Sequence, residues 1–272
     1  MRRLAGCVVL ALVAVSVWRC SPVALPTLRT APSSSGEAEL TVLTYNVNFG
    51  MAGDGPTLDA ILNADADILV LQETTAEWRA ALSARLEARF PHQMWLPPRN
   101  GLAAGGAAVL SRWPLRDTKT SSSATGWFDA LSAVVETSNG PVHMVALHLE
   151  PVGTLGALRT ISAHHRREVE AHVRRLGIDA SSPTIVAGDF NEERGGALHY
   201  LERRGFEDAV DRFAPGRPTW RWPIGSHTLR LQLDHVLHSE PFAVVRTDVL
   251  DEGRSDHLPV RVELRLRGPD ER

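Results

Sequence analysis

Short apolar runs of the kind that form strands recur along this chain, and four of them adjoin polar strings instead of plain turns. Leu40–Tyr45 closes on Asn46, inside Tyr45-Asn46-Val47-Asn48. Asp67–Leu71 closes on Gln72-Glu73, and Pro183–Ala187 delivers Gly188-Asp189-Phe190-Asn191. Ser255-Asp256-His257 stands directly before the run Leu258–Leu266. Gly106–Ser111, Ala130–Glu136, Val142–Leu149 and Leu231–Leu237 carry the same strand pattern, and Asn139-Gly140 is a strong hairpin turn. Helical stretches lie between them. Pro56–Ala64 forms one short helix, and Trp78, Leu82, Leu86 and Phe90 recur at four-residue spacing. Leu158, Ile161, His165, Val169, Val173 and Leu176 mark one face of a longer helix. Strands outnumber helices and the two alternate, which predicts a sandwich of two sheets covered by helices.

The 272 residues divide by composition. Met1-Arg2-Arg3 precedes an apolar run, Leu4–Trp18, and then Arg19. Residues 1–20 therefore read as an uncleaved signal anchor or a cleaved signal peptide. The run is short of the ~20 residues of a full span, yet no clean small-residue cleavage site follows it. The arginines favour keeping that end inside, with the remainder facing outward. Residues 21–39, rich in Pro and Ser, read as a flexible linker, and 40–268 as one domain, expected as a monomer. Cys7 and Cys20 are the only cysteines, so the domain has no disulfide, cysteine nucleophile or thiolate zinc site. Net charge is −3, and the three arginines of the first 20 residues leave −6 on the rest. That balance speaks against coating nucleic acid by bulk charge, but not against an enzyme that meets phosphate through a metal.

Together the polar strings supply carboxylates, carboxamides and imidazoles at strand ends. Their set and order resemble the endonuclease/exonuclease/phosphatase superfamily, the DNase I-like fold, from about Leu40 to about Leu266. The resemblance implies an α/β fold, a four-layered sandwich of two mixed β-sheets flanked by helices. It also implies Mg²⁺-dependent (or Mn²⁺-dependent) hydrolysis of phosphate esters at one end of the sheets. Glu73 resembles the family's metal-binding glutamate, with Asn46 beside it to place metal or phosphate. A hard cation prefers such carboxylate oxygens. Asp189 matches the aspartate that prepares the attacking water, and Asn191 the asparagine on the scissile phosphate. Asp256 would sit near the metal, and His257 would stabilise phosphoryl charge or act as acid–base. Asp234 matches the aspartate that bonds this histidine and raises its pKa. His148 resembles the second histidine on the phosphate. In the secreted-nuclease branch that histidine pairs with a glutamate just before the glycine-led strand. Here Asn100–Val109 holds no carboxylate, and the partner of His148 is left open.

The resemblance implies a phosphodiesterase of nuclease type, and the amino-terminal segment predicts its exposure outside the cytoplasmic membrane. Its partner would be a phosphodiester or phosphomonoester, in nucleic acid or a phospholipid headgroup. The sphingomyelinase-like, inositol-phosphate and nuclease readings all stay open. Secretion or periplasmic release after signal cleavage is the alternative location. A non-catalytic binding module on the same fold would be marked by loss of a carboxylate or histidine, and none is lost. Other polar residues read as structural. His164-His165 with Glu168 sit on a helix whose apolar face includes His165, and His235 and His238 flank an apolar strand. Trp220 and Trp222, bracketing Arg221, suit either a stacking surface for substrate or a lid over the core. Arg99-Asn100 suits a phosphate contact or a turn.

Overall fold

The computed structural model describes residues 39–99, 101–152 and 159–267. The expected anchor or signal, nearly all of the expected linker, Asn100 and Leu158 lie outside the described residues. No helix among the described residues is long and apolar enough to cross a membrane.

Two six-stranded sheets form the frame. The first joins β1 (Leu40–Asn46), β2 (Ile68–Gln72), β3 (His92–Leu96) and β4 (Ala107–Ser111) to the late strands β13 (Phe242–Val249) and β14 (Val260–Leu266). Its order is β13-β14-β1-β2-β4-β3. The second holds β5 (Leu115–Ser121), β6 (Ala130–Thr137), β7 (Gly140–His148), β8 (Thr184–Asp189), β9 (Glu207–Asp208) and β12 (Asp234–His238), in the order β5-β6-β7-β8-β12-β9. A separate hairpin, β10 (Trp220–Ile224) and β11 (His227–Leu231), belongs to neither. Both sheets are mixed, because β1–β2 and β7–β8 pair in parallel while their neighbours pair antiparallel.

Period-2 alternation assigns each strand's apolar residues to two layers. Val42, Ile68, Val70 and Val109 of the first sheet meet Leu131, Met144, Ile185 and Val236 of the second in the central core. On the first sheet's outer face, Leu43, Leu69 and Leu71 pack on α1 (Gly55–Leu62) and α2 (Ala76–Leu86) through Ile61, Trp78 and Leu82. On the second sheet's outer face, Val145, Leu147 and Val186 pack on α3 (Ile161–Leu176) and α4 (Gly196–Glu202) through Val169, Leu198 and Leu201. A short α5 (Ala209–Phe213) completes the set. This is the four-layered sandwich expected from the sequence. Asp54 and Thr75 cap α1 and α2 with side-chain oxygens, which fixes where each helix starts after its strand.

One strand departs from expectation. Leu231–Leu237 is not continuous: β11 ends at Leu231 and β12 begins at Asp234. Gln232 turns inward to the carbonyls of Ala214 and Arg217, and Thr219 Oγ1 accepts from the amides of Leu233 and Asp234. Those bonds replace the ladder at the point where the chain passes from hairpin to sheet.

Candidate active site

The parallel pairings bring four strand ends to one edge of the sandwich. Asn46 pairs with Gln72 at the ends of β1 and β2, and His148 with Asp189 at the ends of β7 and β8. Antiparallel neighbours add their beginnings. Asp234 opens β12 opposite Asp189, and His257 precedes β14, which runs antiparallel to β1. Sequence positions from 46 to 257 thus converge at one edge. Gly188 permits the close β7–β8 approach. It holds φ +147, and a Cβ there would fall 1.8 Å from the Leu147 carbonyl oxygen.

Asp189 is the hub. Its Oδ2 accepts from Asn46 Nδ2 at 3.0 Å and faces His257 Nε2 at 3.4 Å and His148 Nε2 at 3.6 Å. Its Oδ1 accepts the Asn191 backbone N–H at 2.9 Å. Burial raises the Asp189 pKa, with the two imidazoles pulling the other way. His257 is fixed from behind, Nδ1 lying 2.8 Å from Asp234 Oδ2. Burial alone would lower its pKa, but the carboxylates of Asp234 and Asp189 overcome that and raise it to about 10. His257 is therefore a cation at neutral pH. His148 differs: burial outweighs the Asp189 charge and lowers its pKa to about 4, so it is neutral. Its Nδ1 makes no hydrogen bond of ordinary geometry with the described residues, and the nearby Ala104 backbone contributes only weakly. An aromatic stack holds the ring instead, with Phe128 at 4.0 Å between centroids and 21° between planes. The described residues thus place a ring stack and the Ala104 backbone at His148, and no carboxylate partner behind it.

Glu73 and Asp256 form the second half. Asn46 Nδ2 also donates to Glu73 Oε1 at 3.0 Å, and the Phe49 amide to Oε2 at 3.2 Å. Glu73 is half-buried, with an edge on the cleft, and burial pushes its carboxyl up to about 7, the Asp256 charge adding to the rise. Asp256 accepts from Asn48 Nδ2 at 2.9 Å and from Trp220 Nε1 at 3.0 Å. Glu73, Asn48 and Asn191 all have positive φ, near 59°, 59° and 50°. For Glu73 that backbone costs on the order of 1 kcal/mol. The strain re-aims side chains at the point where each strand ends.

All eight residues expected from the sequence meet here. Asn46 holds a central place: both amide hydrogens tie Glu73 to Asp189, and its Oδ1 accepts from the Asn48 amide at 3.1 Å. A metal could still use the second lone pair of Oδ1, whereas a phosphate would need Nδ2 to release Glu73 or Asp189. Asn191 Nδ2 bonds the Leu149 carbonyl at 2.9 Å while its side chain borders the cleft. Asn48, Trp220 and Phe128 were not assigned from sequence. Asn48 follows Asn46 by two residues and shared its string. Trp220 joins through an isolated bridge to His257. Phe128 sits on a loop without period, and no sequence signal marks it.

The other polar residues fall as expected. His165 is buried between Glu192 Oε2 at 2.9 Å and the Glu150 carbonyl at 2.7 Å. His235 lies between Asp208 at 2.6 Å and the Glu192 carbonyl at 2.9 Å. Arg99 pairs with Asp129 at 3.1 Å and bonds the Trp127 carbonyl, anchoring the loop that carries Phe128.

The donor chemistry fits a hard divalent cation. Glu73 and Asp256 are carboxylates close enough to feel each other's charge, and among the described residues no Lys or Arg lines the cleft. Asp189, Asp234 and His257 also place possible ligand atoms within 4.8 Å of one another. There, however, both ring nitrogens of His257 already face carboxylates, and the trio works better as a proton-holding chain.

Residues 43–257 match the model of the endonuclease/exonuclease/phosphatase family, and the chain belongs to that family. It is 25% identical over 261 residues to the uncharacterized protein YbhP of Escherichia coli (strain K12), covering 86% of this chain and 100% of YbhP. The solved endonuclease/exonuclease/phosphatase from Beutenbergia cavernae superposes with a TM-score of 0.69 at 22% identity, covering 85% of this chain and 72% of that one. Sphingomyelinase C from Streptomyces griseocarneus shares the fold with a TM-score of 0.56 at 19% identity, over 82% and 98% of the two chains. So does D. rerio TDP2 complexed with single-strand DNA product, with a TM-score of 0.62 at 14% identity over 83% and 98%. The family is one of phosphoester hydrolases.

Proposed function

We propose that this chain is a Mg²⁺-dependent phosphodiesterase, with Mn²⁺ as a substitute, displayed outside the cytoplasmic membrane. The observation that carries the reading is the position of Asp189, bonded through Asn46 to Glu73 and flanked by a cationic and a neutral imidazole. Glu73 and Asp256 would hold the ion, which would supply Lewis-acid polarisation of a phosphoryl oxygen. Asp189 takes a proton from the attacking water, a role suited to a carboxyl whose pKa is raised. The new P–O bond forms as the ester P–O bond on the opposite side breaks. The departing alcohol takes its proton from solvent, and Asp189 returns its own. The His257 imidazolium and the neutral His148 N–H hold the charge that builds on the non-bridging oxygens. The products are a phosphate monoester and an alcohol. A diester is favoured over a monoester because, beside the ion, the described residues of the cleft lining offer only His257 as a cation to a monoester's second negative charge.

The location rests on the sequence: Arg2 and Arg3, then the apolar run Leu4–Trp18 and a Pro- and Ser-rich stretch. An anchor keeps the chain in salt-washed membranes, and protease added to spheroplasts then releases the domain. A soluble product beginning near residues 21–36 indicates a cleaved signal, and a domain protected in intact spheroplasts overturns the orientation. For the chemistry, full-length protein with Mg²⁺ should hydrolyse bis(4-nitrophenyl) phosphate faster than 4-nitrophenyl phosphate. The reverse preference would make it a phosphomonoesterase.

A further inference from the structure

One wall of the cleft is apolar and is not used by the chemistry above. Trp220 and Trp222 lie two residues apart on β10, so both indoles point to the same side. Their rings are 6.1 Å apart and within 8° of parallel. Trp220 stands 6.5 Å from the His257 ring, so apolar surface begins beside the proposed phosphate site and continues outward along the hairpin. Trp220 is pinned by its bond to Asp256 and by backbone bonds from Arg221 to Asp256 and from Leu258 to Thr219. Leu231 pairs directly with Trp220 across the hairpin, and Leu233, Val152 and Phe128 also line the cleft.

Neither indole covers the core. Both are absent from the three packed clusters, and Trp222 is 41% exposed. An exposed aromatic surface bordering a catalytic cleft is a binding surface by its chemistry. The charge of the cleft narrows what binds. Its described lining residues include Glu73, Asp189, Glu193 and Asp256 and no Lys or Arg. Each additional phosphate of a nucleic-acid strand would meet carboxylates without a cationic partner.

We propose that the Trp220–Trp222–Leu231 wall is the subsite for one ester substituent of the substrate, and that this substituent is apolar, an aryl ring or an alkyl chain. The inference rests on the phosphodiesterase reading of the same cleft. Trp222 and Leu231 set the preference, and Trp220 also positions Asp256.

Binding of phosphonates tests the subsite without turnover. Phenylphosphonate, hexylphosphonate and methylphosphonate are titrated calorimetrically into the full-length protein with Mg²⁺. Wild type should bind the phenyl or hexyl compound at least about 10-fold more tightly than the methyl, the scale of a filled apolar pocket. Trp222→Ala should reduce that ratio to within about 3-fold, and Leu231→Ala should lower it partway. A hexyl preference points to a lipid-like chain and a phenyl preference to a flat ring; either supports the subsite. Equal affinities in wild type, or a ratio that survives Trp222→Ala in a variant with native circular dichroism, overturns it. Turnover of phenyl and methyl 4-nitrophenyl phosphate runs alongside. If the binding ratio holds but neither diester is hydrolysed, the phosphodiesterase reading fails while the subsite stands.

Discussion

Asn46 and Asp189 lie 143 residues apart in sequence and 3.0 Å apart in the fold, joined by a side-chain amide that also holds Glu73. One carboxamide thus fixes the spacing between the proposed ion-binding half of the site and the water-activating half. Asn46→Ala should lower kcat for an aryl diester by about 10²-fold, the scale of a lost positioning or electrostatic group. Asn46→Asp should be worse, because a third carboxylate would sit between two others. Steady-state kinetics on both variants, with circular dichroism to confirm folding, checks this ordering.

Asp234 acts on the phosphate only through His257. Asp234→Asn should leave the ring in place but remove the charge that keeps it protonated, lowering kcat by at least about 10²-fold. The NMR titration of His257 should move down from its raised position. A His257 resonance that titrates as in wild type would show that Asp234 does not set its charge.

Glu73→Gln should raise the Mg²⁺ concentration needed for half-maximal activity by at least about tenfold, since the amide keeps the shape but not the charge. Unchanged Mg²⁺ dependence would move the ion to the Asp189–Asp234–His257 group.

His165 lies near the site in sequence pattern but not in chemistry. His165→Ala should lower stability by about 3 kcal/mol, because it leaves Glu192 buried without this partner, while kcat of the folded fraction changes little. Urea unfolding and activity measured on the same samples separate the two.

Two buried histidines should shape stability in opposite pH ranges. Burial lowers His235, but Asp208 overrides it and raises its pKa to about 9. Its contribution is full below the unfolded value of about 6.5 and is lost as pH rises through about 9. His172 is lowered by burial to about 4, so the stability tied to its neutral form is present above about 6.5 and is lost as pH falls toward 4. Thermal unfolding from pH 4 to 10 should flatten on the alkaline side in His235→Gln and on the acid side in His172→Gln.

The parts of the fold written in local pattern were legible in the sequence. β1, β2, β7 and β8 are buried runs that end in polar strings, and their ends carry Asn46, Glu73, His148 and Asp189. The helix face Trp78, Leu82 and Leu86 was legible for the same reason. What escaped depends on tertiary position. β5 is an edge strand with mostly exposed residues, Leu115–Ser121, and offers no apolar alternation. β3 is half-buried throughout, and β10 contains Pro223, so neither reads as a strand. The break at Gln232-Leu233 arises from side-chain bonds to Ala214, Arg217 and Thr219 that no local pattern encodes. Phe128 stacks on His148, whose partner the sequence left open, and its position depends on a loop tied down by Arg99 and Asp129.

The central claim is that these side chains hydrolyse a phosphodiester with a divalent ion. The most direct measurement is hydrolysis of bis(4-nitrophenyl) phosphate by the full-length protein in Mg²⁺, in Mn²⁺ and in excess EDTA, with Asp189→Ala alongside. The account predicts turnover with either ion, none in EDTA, recovery on adding Mg²⁺ back, and a loss of at least about 10²-fold in the variant. Full turnover in EDTA, or wild-type activity in Asp189→Ala, would contradict it.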